Sequence, residues 1–329
     1  MFNNDEWLNQ VTEAIIEPER EIVDPHHHLW PPGPLHYDLP ELLGDTGGGH
    51  NVTQTVFIEC GSTYLTDGPE HLRCVGETRY VADAATKSRE RPEQATIAGI
   101  VAHADLRSDK LEEILDAHEE AAQGLFKGIR HQAASDSTPD LAIPAPAAPK
   151  LLMSADFRRG VTRLGERQLS FDAWIYHHQL PELIELAKAI PTTKIVLDHF
   201  GTPLGVGPYK SQKAEIFAQW KKDIAQLAEL PNTYAKLGGL AMPDNGFEWH
   251  TRGVPPSSDE IMASQRHYYD FTIDCFGPSR CMFESNFPVD RLSLSYRVLW
   301  NAFKKMTLSF SDSEKDELFS GVARSVYRL

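Results

Sequence analysis

Hydrophobic and polar positions alternate along this chain in two rhythms. Short apolar runs rich in Val, Ile, Leu and Phe recur at residues 54–60, 95–103, 126–132, 170–177, 194–199, 233–239 and 280–286. Their length and β-branched content predict buried strands. An earlier run, Glu21-Ile22-Val23-Asp24, predicts a first strand. Between the runs, apolar residues follow helical spacing over 76–89, 110–120, 154–164, 180–189, 212–230 and 259–276, with a last helical region reaching 329. Parallel strands joined by helices are the pattern of α/β folds, and eight such units predict a (β/α)8 TIM barrel over residues 21–329. Residues 1–20, with Trp7, Leu8, Val11, Ile15 and Ile16, predict an N-terminal helical extension ending near Pro18. A doubly wound open sheet is the alternative, but no Gly-x-Gly-x-x-Gly follows a first strand.

Three polar stretches interrupt the rhythm. Residues 31–50 are Pro- and Gly-rich and contain Tyr37, which predicts a rim loop that touches substrate. Residues 135–149 read as an Ala/Pro loop, and 241–257 as an irregular insertion.

Composition narrows the partners. The 329 residues carry 32 Lys+Arg against 47 Asp+Glu, a formal charge of −15. That balance argues against nucleic acid, whose phosphates need clustered cations. No apolar run approaches the roughly 18 residues of a membrane span, and the acidic start does not read as a signal peptide. Cys60, Cys74, Cys275 and Cys281 form no Cys-x-x-Cys pair and read as reduced thiols of a cytoplasmic protein. A small-molecule substrate is the expected partner, and a homo-oligomer is compatible with the sequence.

Candidate chemistry gathers at the strand ends. In Asp24-Pro25-His26-His27-His28 the strand alternation puts His26 and His28 on one face and His27 on the other. Two imidazoles at one strand end suit a metal or a polarised carbonyl. In a barrel the C-terminal strand ends converge on one mouth. They would bring together Glu59, His103, Lys127, Arg130, His131, His177, His178, Asp198, His199, Lys236, Glu284 and Asn286. Arg130 has the planar fork that grips a carboxylate. Lys236 reads equally as a structural barrel lysine or an oxyanion partner. His103 reads as a satisfied buried histidine, and Asp198 as an N-cap or loop-anchoring carboxylate.

The motifs Asp24-Pro25-His26-His27-His28, Gly128-Ile129-Arg130-His131, His177-His178-Gln179, Leu197-Asp198-His199-Phe200-Gly201, Lys236-Leu237-Gly238-Gly239 and Glu284-Ser285-Asn286-Phe287-Pro288 occur in this order. Together they resemble the amidohydrolase superfamily, in its lactonase-like branch, which holds 2-pyrone-4,6-dicarboxylate lactonase and fuconolactonase-type enzymes. The resemblance covers nearly the whole chain. It implies a (β/α)8 barrel and hydrolysis of a small cyclic ester or a related carboxylate-bearing substrate. It further implies catalytic roles for His26, His28, His177 and His199, with substrate contacts from Arg130, Lys236 and Tyr37. One divalent ion, Zn or Mn, on His26, His28 and His199 is compatible with it, as is metal-free catalysis, because the branch holds both kinds.

One departure matters. Where the branch carries a strand-eight aspartate as general base, this chain has Asn286, and an amide cannot accept a proton near neutral pH. Glu284, two residues earlier on the same face, is the expected displaced base, with Glu59 and Asp290 as further candidates. The alternatives that follow are a metal-dependent decarboxylase on the same barrel, or a catalytically impaired homologue that binds a dicarboxylate.

Overall fold

The computed structural model describes residues 2–33, 35–91, 93–143 and 147–329. Residues 34 and 144–146, inside the two expected loops, lie outside the described residues. Eight parallel strands form one sheet in sequential order: β1 Glu21–His27, β2 Asn51–Ile58, β3 Thr96–Ala102, β4 Phe126–Arg130, β5 Ser170–Ala173, β6 Ile195–Leu197, β7 Thr233–Leu237 and β8 Cys281–Phe283. The helices are α1 Asp5–Leu8, α2 Leu39–Thr46, α3 Val75–Arg89, α4 Leu111–Ala121, α5 Ala155–Glu166, α6 Leu180–Ala189, α7 Lys213–Ala228, α8 Ser258–Phe276, α9 Tyr296–Met306, α10 Asp312–Asp316 and α11 Val322–Tyr327.

The sheet curls back on itself. His28 N donates to Phe287 O at 2.8 Å, which brings the end of β1 against the segment after β8. Asp24 locks the same seam. Its Oδ1 accepts from Ser285 N at 2.9 Å and its Oδ2 from Tyr296 Oη of α9 at 2.9 Å. The result is the (β/α)8 barrel that the alternation predicts.

Strand alternation sorts side chains into two layers. Phe57, Ile97, Phe171, Ile195, Leu197, Ala235, Cys281 and Phe283 point outward into the large core shared with the helices. Val23, Val56, Ile58, Val101, Val196 and Met282 point inward. The inward layer is capped by Val322, Ala323, Val326 and Tyr327 of α11. That helix closes the N-terminal end of the barrel, where Arg324 pairs with Glu21 and Lys194 Nζ donates to Ser325 O. Lys127 belongs to this end as well, since its Nζ donates to Arg328 O.

Two sequence expectations change. The N-terminal extension is helical only over Asp5–Leu8. Residues further on are claimed by tertiary hydrogen bonds, with Ile16 N donating to Asn301 Oδ1 and Lys304 Nζ to Glu17 O. The 31–50 loop contains α2, which Asp38 and Glu41 start with a capping box.

Candidate active site

The mouth is assembled from strand ends whose parity is set by the inward layer. On β1 a register irregularity between Asp24 and His27 leaves His26 and His28 facing inward. Their rings sit edge to face with centroids 4.9 Å apart. His27 faces the opposite way, with Nε2 on Thr55 Oγ1 at 3.1 Å and its ring against Phe57. His28 Nδ1 lies 2.9 Å from Ile58 O. A carbonyl can only accept, so Nδ1 carries the hydrogen and Nε2 keeps its lone pair.

Val196 points inward on β6, so Asp198 does too. His199 should then point outward, but its φ of 53° starts a left-handed run through Phe200, Gly201 and Thr202 that turns its ring back to the mouth. The His26 and His199 ring centroids are 4.5 Å apart. Glu284, inward on the β8 side, lies beneath both. Its Oε1 is 2.7 Å from His199 Nδ1 and its Oε2 is 2.7 Å from His26 Nδ1, the second contact being less well aligned. The Gly238-Gly239 pair makes room for this arrangement. A Cβ on Gly238 would collide with Glu284, and one on Gly239 with the His199 imidazole.

Two cations flank the group. Lys236 is fully buried between Asp172 Oδ2, at 2.8 Å, and Asp198 Oδ1, at 3.1 Å. Burial works against its charge, but the carboxylates of Asp172, Asp198 and Glu284 outweigh that and hold the ammonium charged. Arg130 Nε donates to Glu59 Oε1 at 2.8 Å, and its Nη2 donates to Glu59 O. Its Nη1 reaches His26 Nε2 at 3.4 Å and Asp198 Oδ2 at 3.7 Å. Burial, reinforced by Lys236 near His26 and by Arg130 near His28, pushes both imidazoles well below their ordinary value, so both are neutral at pH 7. Burial alone would raise the Asp198 carboxyl, and Lys236, His199 and Arg130 together draw it below its usual range.

Asn286, with a φ of 55°, lines the mouth and donates from Nδ2 to Asp290 Oδ1 at 2.9 Å. Its amide oxygen is thereby left as an acceptor. Asp290 is buried behind it and raised to about 7, by burial first and by Glu284 in addition.

These groups border a cavity of about 400 Å³. His28, His199, Arg130 and Asn286 supply its polar side, Trp30, Tyr64, Trp174 and Met242 its walls, and Glu59, His103 and Gln132 its far rim. A separate cavity of about 330 Å³, walled by Phe217, Phe247 and Tyr268 beside α7 and α8, carries none of the histidine–carboxylate group.

Some expected site residues are placed elsewhere. His177 follows β5 by several residues, does not line the cavity, and accepts from Leu204 N at 3.3 Å. Tyr37 is buried away from the cavity and spends its hydroxyl on Asp45 Oδ2 at 2.8 Å, so the substrate contact expected of it is not formed in this geometry. Glu284 does not border the cavity either, and both its oxygens face imidazoles. Other residues carry more than the sequence suggested. Asp198 makes no capping bond and instead joins the histidines. His103 is half-buried and faces the cavity, and its ring has no hydrogen-bond partner among the described residues. Strand parity, with Val196 and Val101 inward, was the available signal for both.

Among the described residues, one compact group could hold a metal ion: His26, Asp198 and His199, whose donor atoms lie within 4.8 Å of one another. His28 adjoins this group without belonging to it, so Asp198 stands where the sequence suggested His28. The residues fit a divalent ion. Both Asp198 oxygens are buried with no aligned hydrogen-bond donor, and two imidazoles with one carboxylate are a donor set used by catalytic zinc. Glu284 beneath His26 and His199 supplies the orienting carboxylate that ligating histidines require.

Comparison with known proteins agrees with this construction. A family model described as Amidohydrolase matches residues 23–329. The "Uncharacterized protein y4mH" of Sinorhizobium fredii is 32% identical over 325 residues, covering 94% of this chain and 98% of that protein. An L-fucono-1,5-lactonase of Burkholderia multivorans is 29% identical over 238 residues, covering 72% of this chain and 73% of the lactonase. An amidohydrolase of Burkholderia multivorans solved with bound Zn superposes with a TM-score of 0.72 at 23% identity, covering 94% of this chain and 99% of that one, and so shares the fold. The histidine-rich mouth and the family match together establish that the chain belongs to the amidohydrolase family and is a hydrolase on a (β/α)8 barrel.

Proposed function

We propose that this hydrolase opens a small uncharged lactone to its hydroxy acid. The observation that carries the proposal is Asp198, a fully buried carboxylate whose charge is balanced by Lys236 at 3.1 Å and Arg130 at 3.7 Å but whose oxygens lack well-aligned donors, set beside His26 and His199 just beneath an aromatic-walled cavity. A divalent ion, Zn2+ or Mn2+, bound by His26, Asp198 and His199 would polarise the ester carbonyl and acidify water.

The chain's own residues perform the remaining steps. His28 Nε2 takes the proton of the attacking water, since its other nitrogen is tied to Ile58 O. The Asn286 amide oxygen accepts from that water and orients it, an arrangement fixed by the bond to Asp290. The carbonyl–oxygen bond of the ring breaks, and His28 returns the proton to the departing alkoxide. Glu284 is a positioning carboxylate, because its Oε1 holds His199 Nδ1, its Oε2 faces His26 Nδ1, and neither borders the cavity.

The placement of the two cations favours an uncharged substrate over a carboxylate-bearing one. Lys236 is held below the cavity between Asp172 and Asp198 and does not border it. Arg130 does border it, but its Nε and Nη2 are already engaged by Glu59, so the fork that would grip a substrate carboxylate is taken.

The test is acid release from γ- and δ-lactones in a pH-stat, with protein stripped by chelator and reloaded with Zn2+ or Mn2+. The reloaded enzyme should open lactones, and His28→Ala should lower kcat by roughly 10²–10⁴-fold, the range of general-base loss. Absence of turnover on every lactone, or a fully active His28→Ala, contradicts the proposal.

A further inference from the structure

The strand order around the barrel separates two poles of the cavity. His28, His199 and Asn286 come from the ends of β1, β6 and β8, the arc of the ring that contains β7. The opposite rim is built by the ends of β2, β3 and β4. In a sequential ring of eight strands, β3 lies across from β7. A ring with its carbonyl at the first pole therefore directs its other edge toward the second.

His103 follows β3 and is fixed in place without being used. Its carbonyl accepts from His118 Nε2 at 2.8 Å, and His118 is buried and held on its other side by Thr78 Oγ1 at 2.8 Å. Its ring is bracketed by Tyr64, with centroids 6.3 Å apart, and by His131 at 5.5 Å. The ring nitrogens have no hydrogen-bond partner among the described residues, although the ring faces the cavity. Glu59, on the same rim, is committed to Arg130. A pre-positioned polar ring with no internal partner is suited to a ligand's polar group.

We infer that His103 is a specificity-determining residue, whose imidazole hydrogen-bonds a hydroxyl on the lactone ring remote from the carbonyl under attack. An imidazole can donate to or accept from a hydroxyl. The carboxylate of Glu59 on this rim disfavours an anionic substituent there. The inference rests on the lactone proposal for the shape of the ligand.

Binding of unreactive lactams tests it independently of turnover, because Trp30 and Trp174 border the cavity and report occupancy by fluorescence. The probes are 2-piperidinone, which lacks hydroxyls, and the hydroxylated δ-lactams of the gluco and galacto series. Wild type should bind at least one hydroxylated lactam more tightly than 2-piperidinone. His103→Ala should weaken that binding about fivefold, the scale of one neutral hydrogen bond, and change 2-piperidinone binding less than twofold. His103→Gln, which keeps a donor and an acceptor, should recover part of the loss. No preference for hydroxylated lactams in wild type, or an equal change for all probes in His103→Ala, overturns the inference. A protein that shows the preference yet opens no lactone refutes the reaction and leaves the subsite standing.

Discussion

Asp172 and Asp198 are both fully buried inside the barrel, and the same lysine, Lys236, lies between them. Their surroundings are opposite. Asp172 accepts from Ser170 Oγ at 2.8 Å, Lys236 Nζ at 2.8 Å and Tyr327 Oη at 2.6 Å. Asp198 has Lys236 and Arg130 nearby but no aligned donor on either oxygen. A buried carboxylate costs free energy unless its lone pairs are satisfied. Asp172 meets that cost with the fold's own donors and ties α11 into the barrel. Asp198 has its charge held by Lys236 and Arg130 while its oxygens lack well-aligned donors, which leaves its lone pairs open to an external partner. The lower interior is therefore built for stability, and the upper interior, at the strand ends, for chemistry.

Substitutions at the two levels should separate these roles. Asp198→Asn should lower kcat/KM by on the order of 10²–10⁴-fold, the scale of a lost catalytic group. Because Lys236 and Arg130 favour the charged form of Asp198, the substitution should also cost some stability in thermal unfolding, though less than Asp172→Asn does. A large loss of stability with retained turnover would invert the assignment. Glu284→Gln should cost roughly 10–100-fold in metal retention, measured by competition with a chelator, because the carboxylate beneath two ligands orients them.

Lys236 belongs to both levels. Lys236→Met should destabilise the protein by about 3–5 kcal/mol in urea unfolding, since it strands two buried carboxylates, and it should reduce turnover as well. Tyr327→Phe should cost about 1.5–3 kcal/mol, the range for a hydrogen bond to a charged group, with turnover changed less than at Asp198. A Tyr327→Phe protein of full stability and abolished turnover would break the division between the levels.

The smallest effect concerns acid. Burial lowers His27 to about 3 and His118 to about 4. Each takes up a proton in the unfolded chain below about 6.5 but stays neutral in the fold until far lower pH. Their contribution to stability is complete above the unfolded value and is lost as pH falls toward the folded values. The melting temperature should fall between pH 6.5 and 4, and His27→Met should make that fall shallower. An unchanged slope would mean that His27 is not held neutral.

Much of the fold was legible because its signals are local. Period-two runs fixed the strands, and the same parity placed Lys236 and Glu284 on the inward side and set His26 and His28 on one face, which a register irregularity after Asp24 turns inward. What escaped depends on distant partners. Asp198, just before a turn, has the pattern of a capping residue, and only its closeness to His26 and Lys236 shows otherwise. Tyr327 gives no local sign that it reaches Asp172, 155 residues away. His103 read as satisfied because a strand sequence does not show whether an inward ring finds a partner. Tyr37 erred the other way, since nothing near it in sequence reveals that α2 presents Asp45 to its hydroxyl. Helix α2 itself was readable from Asp38 and Glu41 but was masked by the surrounding Pro and Gly.

The most direct test compares lactone opening by wild type and Asp198→Asn, both reloaded with Zn2+ and followed in a pH-stat alongside their melting curves. Wild type should release acid, and the variant should remain folded at the assay temperature while losing at least about 10²-fold in rate. Equal rates in the two proteins would contradict the placement of the chemistry at Asp198.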